Sequence, residues 1–400
     1  VGAAVSHARG HLAQELIMNT FDVAVIGAGP AGSAAAIGLA QRGYEVALVD
    51  KKFFPREKLC GDFINPVNWP VLRELGVEHR VLSQPHAEVS GFRITTAAGR
   101  EAVAQFTKFD HERSVGLGLR RAYLDQVLLD RAAALGVTVF QGRRLVDLSR
   151  AAQVWRLRTD GGEEWQAKIL IGADGRNSWV AQRLGLNKRA AVGGRSVGFQ
   201  CRLKYAGALD GKVEIHLFPG GYAGVVGLGD GALNLCLAVD KRTLPRERSA
   251  EFVFARILPH NPFLRDILER SEIMSELRSV YPVYLAERRC YANALLLVGD
   301  AARVSEPVTG EGIYFAMRGG LMAAETVDRA LRRGDLSAAS LQSYMQNFRR
   351  VFRARVALNS FLRFAIYRPA LLDPFIRLSA RHDRALNSLI DTVCAPQGMS

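Results

Sequence analysis

The sequence predicts an α/β protein: a Rossmann-like nucleotide-binding domain, an inserted and mainly antiparallel β-sheet domain, and a C-terminal helical segment. Three observations predict it. Residues 21–50 read as strand, glycine turn, helix and a second strand ending in an acid. Residues 196–240 alternate apolar and polar side chains with period two. The chain after residue 336 carries apolar groups at helical spacing among arginines.

In FDVAVIGAGPAGSAAAIGLAQRGYEVALVD, Val23, Ala24, Val25 and Ile26 suit a parallel strand buried on both faces. Gly27 permits the tight turn, Gly29 lets a pyrophosphate approach the backbone, and Gly32 lets the helix pack close to the strand. The unpaired N–H groups at the start of that helix, beside Pro30 and Ala31, then face an anion without needing a lysine. Asp50 closes the second strand where a ribose hydroxyl needs an acceptor, and Lys51 follows it. The pattern therefore points to an adenine dinucleotide. The run 23–40 has no charge and is long enough to score as a membrane span, but Pro30 and its four glycines fit the nucleotide turn better than a lipid-facing helix. Residues 1–19 are set aside as an N-terminal extension, with Met18 just ahead of the first strand.

An ordered loop, KKFFPREKLCGDFINP, follows Asp50 and leads to a short helical stretch over 67–75. Within it Lys58 either pairs with a phosphate or is solvated. Cys60, next to Gly61, is either a small residue in a tight turn or a thiol whose pKa the nearby cation lowers. Residues 91–106 form a hairpin turning at Ala98 and Gly99, and 121–135 return to helical spacing, followed by the strand VTVF. A second hairpin over 154–171 reverses at Asp160, Gly161 and Gly162 and delivers the chain to IGADGRNSWVAQRLGL. There Asp174 accepts hydrogen bonds from turn amides, and a helix opens at Ser178.

The period-two region gives an antiparallel layer, with a helix-like stretch after it over 249–277. In ALLLVGDAA an apolar strand ends at Gly299 and Asp300, where an aspartate can meet the ribityl hydroxyls of a flavin. Pro307, Gly310 and Gly312 then make a bend that starts a helix, whose positive end would stabilise negative charge on a reduced isoalloxazine. The tail over 349–389 interleaves arginines with Phe348, Phe352, Phe361, Leu362, Phe364, Ile366 and Tyr367. It either lies on an anionic membrane or caps the substrate sheet with its arginines facing water, and the second is favoured.

Four hundred residues with a 48% hydrophobic share can bury a large core and suggest two domains. The domain organisation expected is 20–85, 112–190 and 286–335 for the nucleotide unit, 86–111 and 191–285 for a substrate unit, and 336–400 for the helical region. Five cysteines make no CxxC pair, so neither a zinc site nor a disulfide framework is indicated, and a reduced cytoplasmic setting is expected. A net charge of +14 attracts anions, among them NADPH, anionic lipid and acidic carrier proteins. The basic residues are spread along the chain without a nucleic-acid module, so no nucleic-acid partner is expected.

GAGPAG at 27–32, GADG at 172–175 and GDAA at 299–302, in this order, resemble the FAD-dependent aromatic hydroxylase superfamily. KLCGD at 58–62 and EPVTGEGIYFAMRGG at 306–320 are most similar to its geranylgeranyl reductase branch, which adjoins the flavin-dependent halogenases. The resemblance covers roughly residues 20–330. It implies FAD, with Asp50 on the adenosine ribose, Arg121 on the phosphate and sugar region, Asp300 on the ribityl and pyrophosphate region, and Gly310, Glu311, Gly312 and Ile313 at the ring edge. Asp174 belongs by this likeness to a loop shared by FAD and NAD(P)H. The reductase branch carries tunnel aromatics at a segment similar to PGGYAGVV; here Tyr222 is present, while Gly224 stands in place of tryptophan and Val226 in place of phenylalanine.

The expected function is an FAD oxidoreductase taking electrons from NADPH or NADH. The missing tunnel aromatics put a monooxygenase first, hydroxylating a hydrophobic small molecule such as a polyketide, phenol or isoprenoid. Reduction of isoprenoid double bonds comes second, and a noncatalytic flavin electron-transfer or lipid-binding protein third. Cys60 and Tyr222 are the candidate catalytic residues. Tyr222 either donates a hydrogen bond to substrate or fills the core, and His86 and His216 are read as ordinary.

Overall fold

In the computed structural model the first strand, Asn19–Ile26, lies between Val46–Asp50 and Glu164–Gly172 and runs parallel to both, with Val23 opposite Val46 and Ile169. Thr138–Gln141 and Leu295–Leu297 extend the parallel set on either side. Val154–Thr159 folds back antiparallel onto Glu164–Gly172, and Leu145–Ala151 pairs antiparallel with Val154–Thr159. The structure describes residues 19–106, 114–187, 196–245 and 250–379, with 386, 387, 390, 393 and 394. The N-terminal extension and parts of the tail segment 349–389 lie outside them.

The helix Pro30–Ala40 explains the uncharged run. It is buried on nearly every side, and the long helix Gly312–Arg333 crosses it so closely that a Cβ at Gly320 would stand 2.3 Å from the Ala31 carbonyl oxygen. Full burial of each large aliphatic side chain here, such as Ile37 and Leu39, contributes about 1.5–3 kcal/mol. Among the described residues no helix is long and apolar enough to cross a membrane.

A second sheet has the order Ser271–Ile273, Ser196–Tyr205, Ala232–Asp240, Gly221–Gly227, Lys212–Phe218, Gly91–Thr95, Glu101–Gln105. Neighbours are antiparallel except Lys212–Phe218 against Gly91–Thr95. Alternation decides the faces of Gly221–Gly227: Ala223 and Val225 join a core cluster with Leu235 and Leu237, while Tyr222 and Val226 join one with Phe63, Phe92 and the C-terminal residues Ile366, Ile376 and Ile390. On Lys212–Phe218 the same alternation turns His216 to the other face. There Thr95 Oγ1 and Glu214 Oε2 lie 2.8 and 3.1 Å from its ring nitrogens, so it is not without partners.

Two sequence expectations need correction. The helix-like stretch over 249–277 breaks, because Pro259 and Pro262 cannot donate to a continuous ladder; Asn261 caps a new helix, Pro262–Glu269, and Ser271–Ile273 and Arg278–Val280 pair with Ser196–Tyr205 instead. The tail does cap the second sheet through Ala338–Ile366 and Pro369–Ser379, but not all its arginines face water. Arg355 is buried.

Candidate cofactor and substrate site

Gly27 has φ +106°, and a Cβ there would fall 2.4 Å from the Ala173 carbonyl oxygen. A Cβ on Gly32 would stand 1.8 Å from the Gly27 oxygen, so these two glycines are required by the protein's own backbone. Gly29 differs. It has extended backbone at the N-cap of Pro30–Ala40, and a Cβ there would meet only an Arg56 guanidinium nitrogen at 3.5 Å. The space beside Gly29 therefore opens into a cleft.

That cleft encloses about 1480 Å³ including its mouth. It brings together Gly29, Pro30, Ala31, Lys58, Cys60, Gly61, Arg121, Asp300, Pro307, Gly310, Gly312, Ile313 and Tyr222 from segments remote in sequence. Side chains at Gly61 or Gly312 would meet nothing within 4 Å, so the cradle is free of protein atoms where a ligand's edge would lie. Gly299 lines an adjoining cavity that shares Asp300, Gly312 and Ala316 with the cleft.

Asp50 ends its strand nearly buried, accepting from the Ala28 N–H at 2.9 Å through Oδ2 and from the Lys52 N–H through Oδ1. Asp174 Oδ2 accepts from the Val180 N–H at 3.1 Å, and Oδ1 is buried without a hydrogen-bond partner. Burial pushes the Asp174 carboxyl up against the pull of Ser178 and the turn amides. Lys51 is exposed and Glu311 points elsewhere: its carboxylate pairs with Arg355 in a buried contact, so neither side chain lines the cleft.

The cations are set by a network that the sequence reading missed. Arg121 donates twice to Asp125, from Nε to Oδ1 at 2.8 Å and from Nη2 to Oδ2 at 2.9 Å. Burial works against its charge, but Asp125 and Cys60 outweigh that and hold it above its ordinary value. Arg56 bridges Asp125 at 3.3 Å and Asp50 at 3.8 Å, tying the end of the second strand to the helix that carries Asp125. Burial lowers Lys58, with Asp300 opposing. The signal for Arg56 was its place in the charged loop directly after Asp50; nothing local distinguished it from Lys51 or Lys52.

Asp62, at φ +52°, accepts from the Arg121 N–H at 3.1 Å and pairs with Arg202 of the second sheet. Burial raises its carboxyl to about 6 in spite of Arg202. The Cys60 carbonyl accepts from Gln200 Nε2 at 2.8 Å and Asn234 Nδ2 at 3.0 Å. Strands far along the chain thus clamp the KLCGD loop.

Of the two readings of Cys60, the lowered thiol is not found. Burial pushes it up, with Arg121 opposing, and Lys58 does not reverse this. Cys60 is therefore expected to alkylate in the native protein at least about tenfold more slowly than an unhindered thiol of ordinary pKa, read by mass spectrometry of its peptide at neutral pH. Labelling at the rate of a free thiol would overturn that assignment. Tyr222 lines the cleft, and its hydroxyl donates to Glu306 Oε1 at 2.7 Å.

A parallel nucleotide sheet with a glycine-opened pyrophosphate seat, joined through a deep cleft to an antiparallel sheet, defines the flavoprotein class that binds an extended dinucleotide. This chain belongs to the FAD binding domain family, whose model matches residues 20–359, and the family is one of FAD-dependent oxidoreductases. The digeranylgeranylglycerophospholipid reductase of Methanothrix thermoacetophila is 32% identical over 93% of this chain and 91% of its own. The geranylgeranyl bacteriochlorophyll reductase-like protein of Thermoplasma acidophilum shares the fold with a TM-score of 0.73 at 24% identity, over 96% of this chain and 94% of that one. The flavin-dependent halogenase CmlS also scores 0.73 at 24% identity over 84% of this chain, which spans 63% of the halogenase. The open glycine edges, the phosphate-facing helix and the cations Lys58, Arg121 and Arg56 fit FAD.

Proposed function

We propose that this protein reduces carbon–carbon double bonds of a long apolar chain, with FAD as cofactor and NADPH or NADH as electron donor. The supporting observation is a second, apolar cavity, about 680 Å³ including its open mouth, beneath the C-terminal helices. It meets the cofactor cleft at Phe92, Ile215 and Val308, and its far walls are Leu362, Ile366, Ile376 and Ile390. A chain with one double bond at the flavin could extend its remaining length there, burying methylenes at about 0.8 kcal/mol each. The reductase relative, similar over nearly all of both chains, supports the same reading.

FAD supplies two electrons as hydride in this chemistry. The protein's residues do the rest: the apolar walls exclude water and align the chain, the Gln200–Asn234 clamp fixes the loop at Cys60, and Lys58 and Arg121 neutralise phosphate. Exposed Phe361 and Phe364, with Arg353 and Arg368 on the same outer helix face, support contact with an anionic lipid surface.

Hydroxylation is the second reading, supported by one feature. A Cβ at Gly224 would meet only the Cys236 carbonyl oxygen, at 3.7 Å, so the cleft is roomy where a tunnel aromatic would narrow it. Dithionite-reduced enzyme given digeranylgeranylglycerophospholipid in detergent without oxygen is expected to return product with two hydrogens added per double bond. Turnover that requires oxygen and adds an oxygen atom would replace the first reading with the second.

A further inference from the structure

Glu306 is a buried carboxyl. It is 2% exposed, and among the described residues it makes no ion pair. Asn359 clamps its main chain from both sides, accepting from the Glu306 N–H through Oδ1 at 3.1 Å and donating from Nδ2 to the Glu306 carbonyl at 2.9 Å. That grip aims the side chain at Tyr222, whose hydroxyl lies 2.7 Å from Oε1. Tyr222 in turn lines the cofactor cleft on the same strand face as Gly224 and Val226.

The surroundings raise both groups above their ordinary values. Facing Glu306 are Tyr222 from the second sheet, Asn359 and Arg363 from Ala338–Ile366, and Tyr367 just beyond that helix. Arg363 is drawn aside, its guanidinium carbon 4.1 Å from the centre of the Tyr284 ring. Burial pushes the Glu306 carboxyl up to about 7, with the Tyr222 hydroxyl and Arg363 opposing. Burial and the neighbouring Glu306 hold Tyr222 well above the ordinary phenol value, so it remains an O–H.

Saturating a double bond needs a proton as well as a hydride. We propose that Tyr222 is the catalytic proton donor of this reaction and that Glu306 is the positioning residue that holds its hydroxyl and refills it. The assignment rests on the reductase reading above. In the step, the π bond breaks as hydride from the reduced cofactor forms one C–H bond and the Tyr222 proton forms the other. The two electrons would come from reduced FAD, the Tyr222 phenolate takes the Glu306 proton, and the carboxylate is reprotonated from water before the next turnover. Of the cleft's other titratable side chains, Cys236 lies on the neighbouring strand opposite Gly224, and burial pushes its thiol up, so it too stays protonated.

The test uses the full chain loaded with FAD, dithionite and digeranylgeranylglycerophospholipid. For Y222F, kcat is expected to fall about 100-fold with KM unchanged, the size of a lost general acid. Wild-type kcat is expected to be level below pH about 7 and to decline above it as Glu306 ionises. E306Q should lose that limb and E306D should restore it in part. An independent readout is the infrared difference between about pH 6 and about pH 8, either side of the Glu306 value near 7, which should show a protonated carboxyl band lost in wild type and weaker in E306Q, where only the Asp62 share remains. If wild type saturates the substrate while Y222F matches its kcat, or if E306Q keeps the pH limb, the proton assignment is wrong and the reductase reading stands. If wild type fails to saturate any double bond, the reductase reading fails and takes this one with it.

Discussion

Gly29→Ala is expected to give a folded but nearly flavin-free protein, whereas Gly32→Ala should lose both flavin and stability. The contrast follows from where each new methyl would go. At Gly29 the backbone is extended, at φ −74° and ψ −179°, which any residue adopts, and only the Arg56 guanidinium stands nearby, at 3.5 Å. Replacing this N-cap glycine should cost no more than about 1 kcal/mol. The methyl would instead occupy the approach of the pyrophosphate to the helix amides. A weakening of FAD binding of about 100-fold, roughly 2.8 kcal/mol, is the expected size. At Gly32 the methyl would sit 1.8 Å from the Gly27 oxygen and 3.0 Å from the Ala173 side chain, so strand and helix must separate. Overpacking of this kind costs about 1–3 kcal/mol or more, out of a total stability of only about 5–15 kcal/mol. Absorbance of bound flavin and calorimetric melting of both variants check the pair. A Gly29→Ala protein as yellow as wild type would mean that the cofactor does not approach at this turn.

Arg355→Met should be the most destabilising single substitution in the C-terminal half. Arg355 is 1% and Glu311 2% exposed as side chains, and Arg355 Nη1 also donates to the Val393 carbonyl at 2.6 Å. Removing the guanidinium leaves a buried carboxylate without its partner, a loss of about 3–5 kcal/mol. The double variant E311L/R355M should recover most of it, because the desolvation cost disappears with the charge. The pH dependence has a definite sign. Burial already raises the Glu311 carboxyl, with Arg355 opposing, and without Arg355 it rises further. A folded-state value above the unfolded one means that the neutral form tolerates burial at low pH, and that stability falls as pH rises through the folded value. The gap between variant and wild type should therefore be smaller in urea melts at pH 5 than at pH 8. An equal gap at both would mean that Glu311 escapes to solvent in the variant. Because Glu311 immediately precedes Gly312–Arg333, flavin retention should fall as well.

Much of the nucleotide half was legible because its information is local. The roles of Gly27 and Gly32 follow from spacing, and the short range from Val23 to Asp50 contains strand, turn, helix and acid together. The hairpins Val154–Thr159 with Glu164–Gly172, and Gly91–Thr95 with Glu101–Gln105, were legible for the same reason: their partners are a few residues away. The helix-like reading over 249–277 failed where two prolines and an Asn cap overrode apolar spacing.

The sequence by itself determined that this chain is an α/β flavoprotein with a phosphate-binding glycine turn, since each of those features is set by backbone geometry within one short segment. Only the tertiary structure decided which charged groups are paired and which are held in reserve. Glu311 looked like a cofactor contact until Arg355 was found against it; Cys60 could be read as a turn residue or as an activated thiol until burial was found to outweigh the Arg121 cation; and Glu306 carried no signal until folding set it beside Tyr222. Desolvation and long-range partners govern a side chain's charge, and neither is encoded in its immediate neighbours.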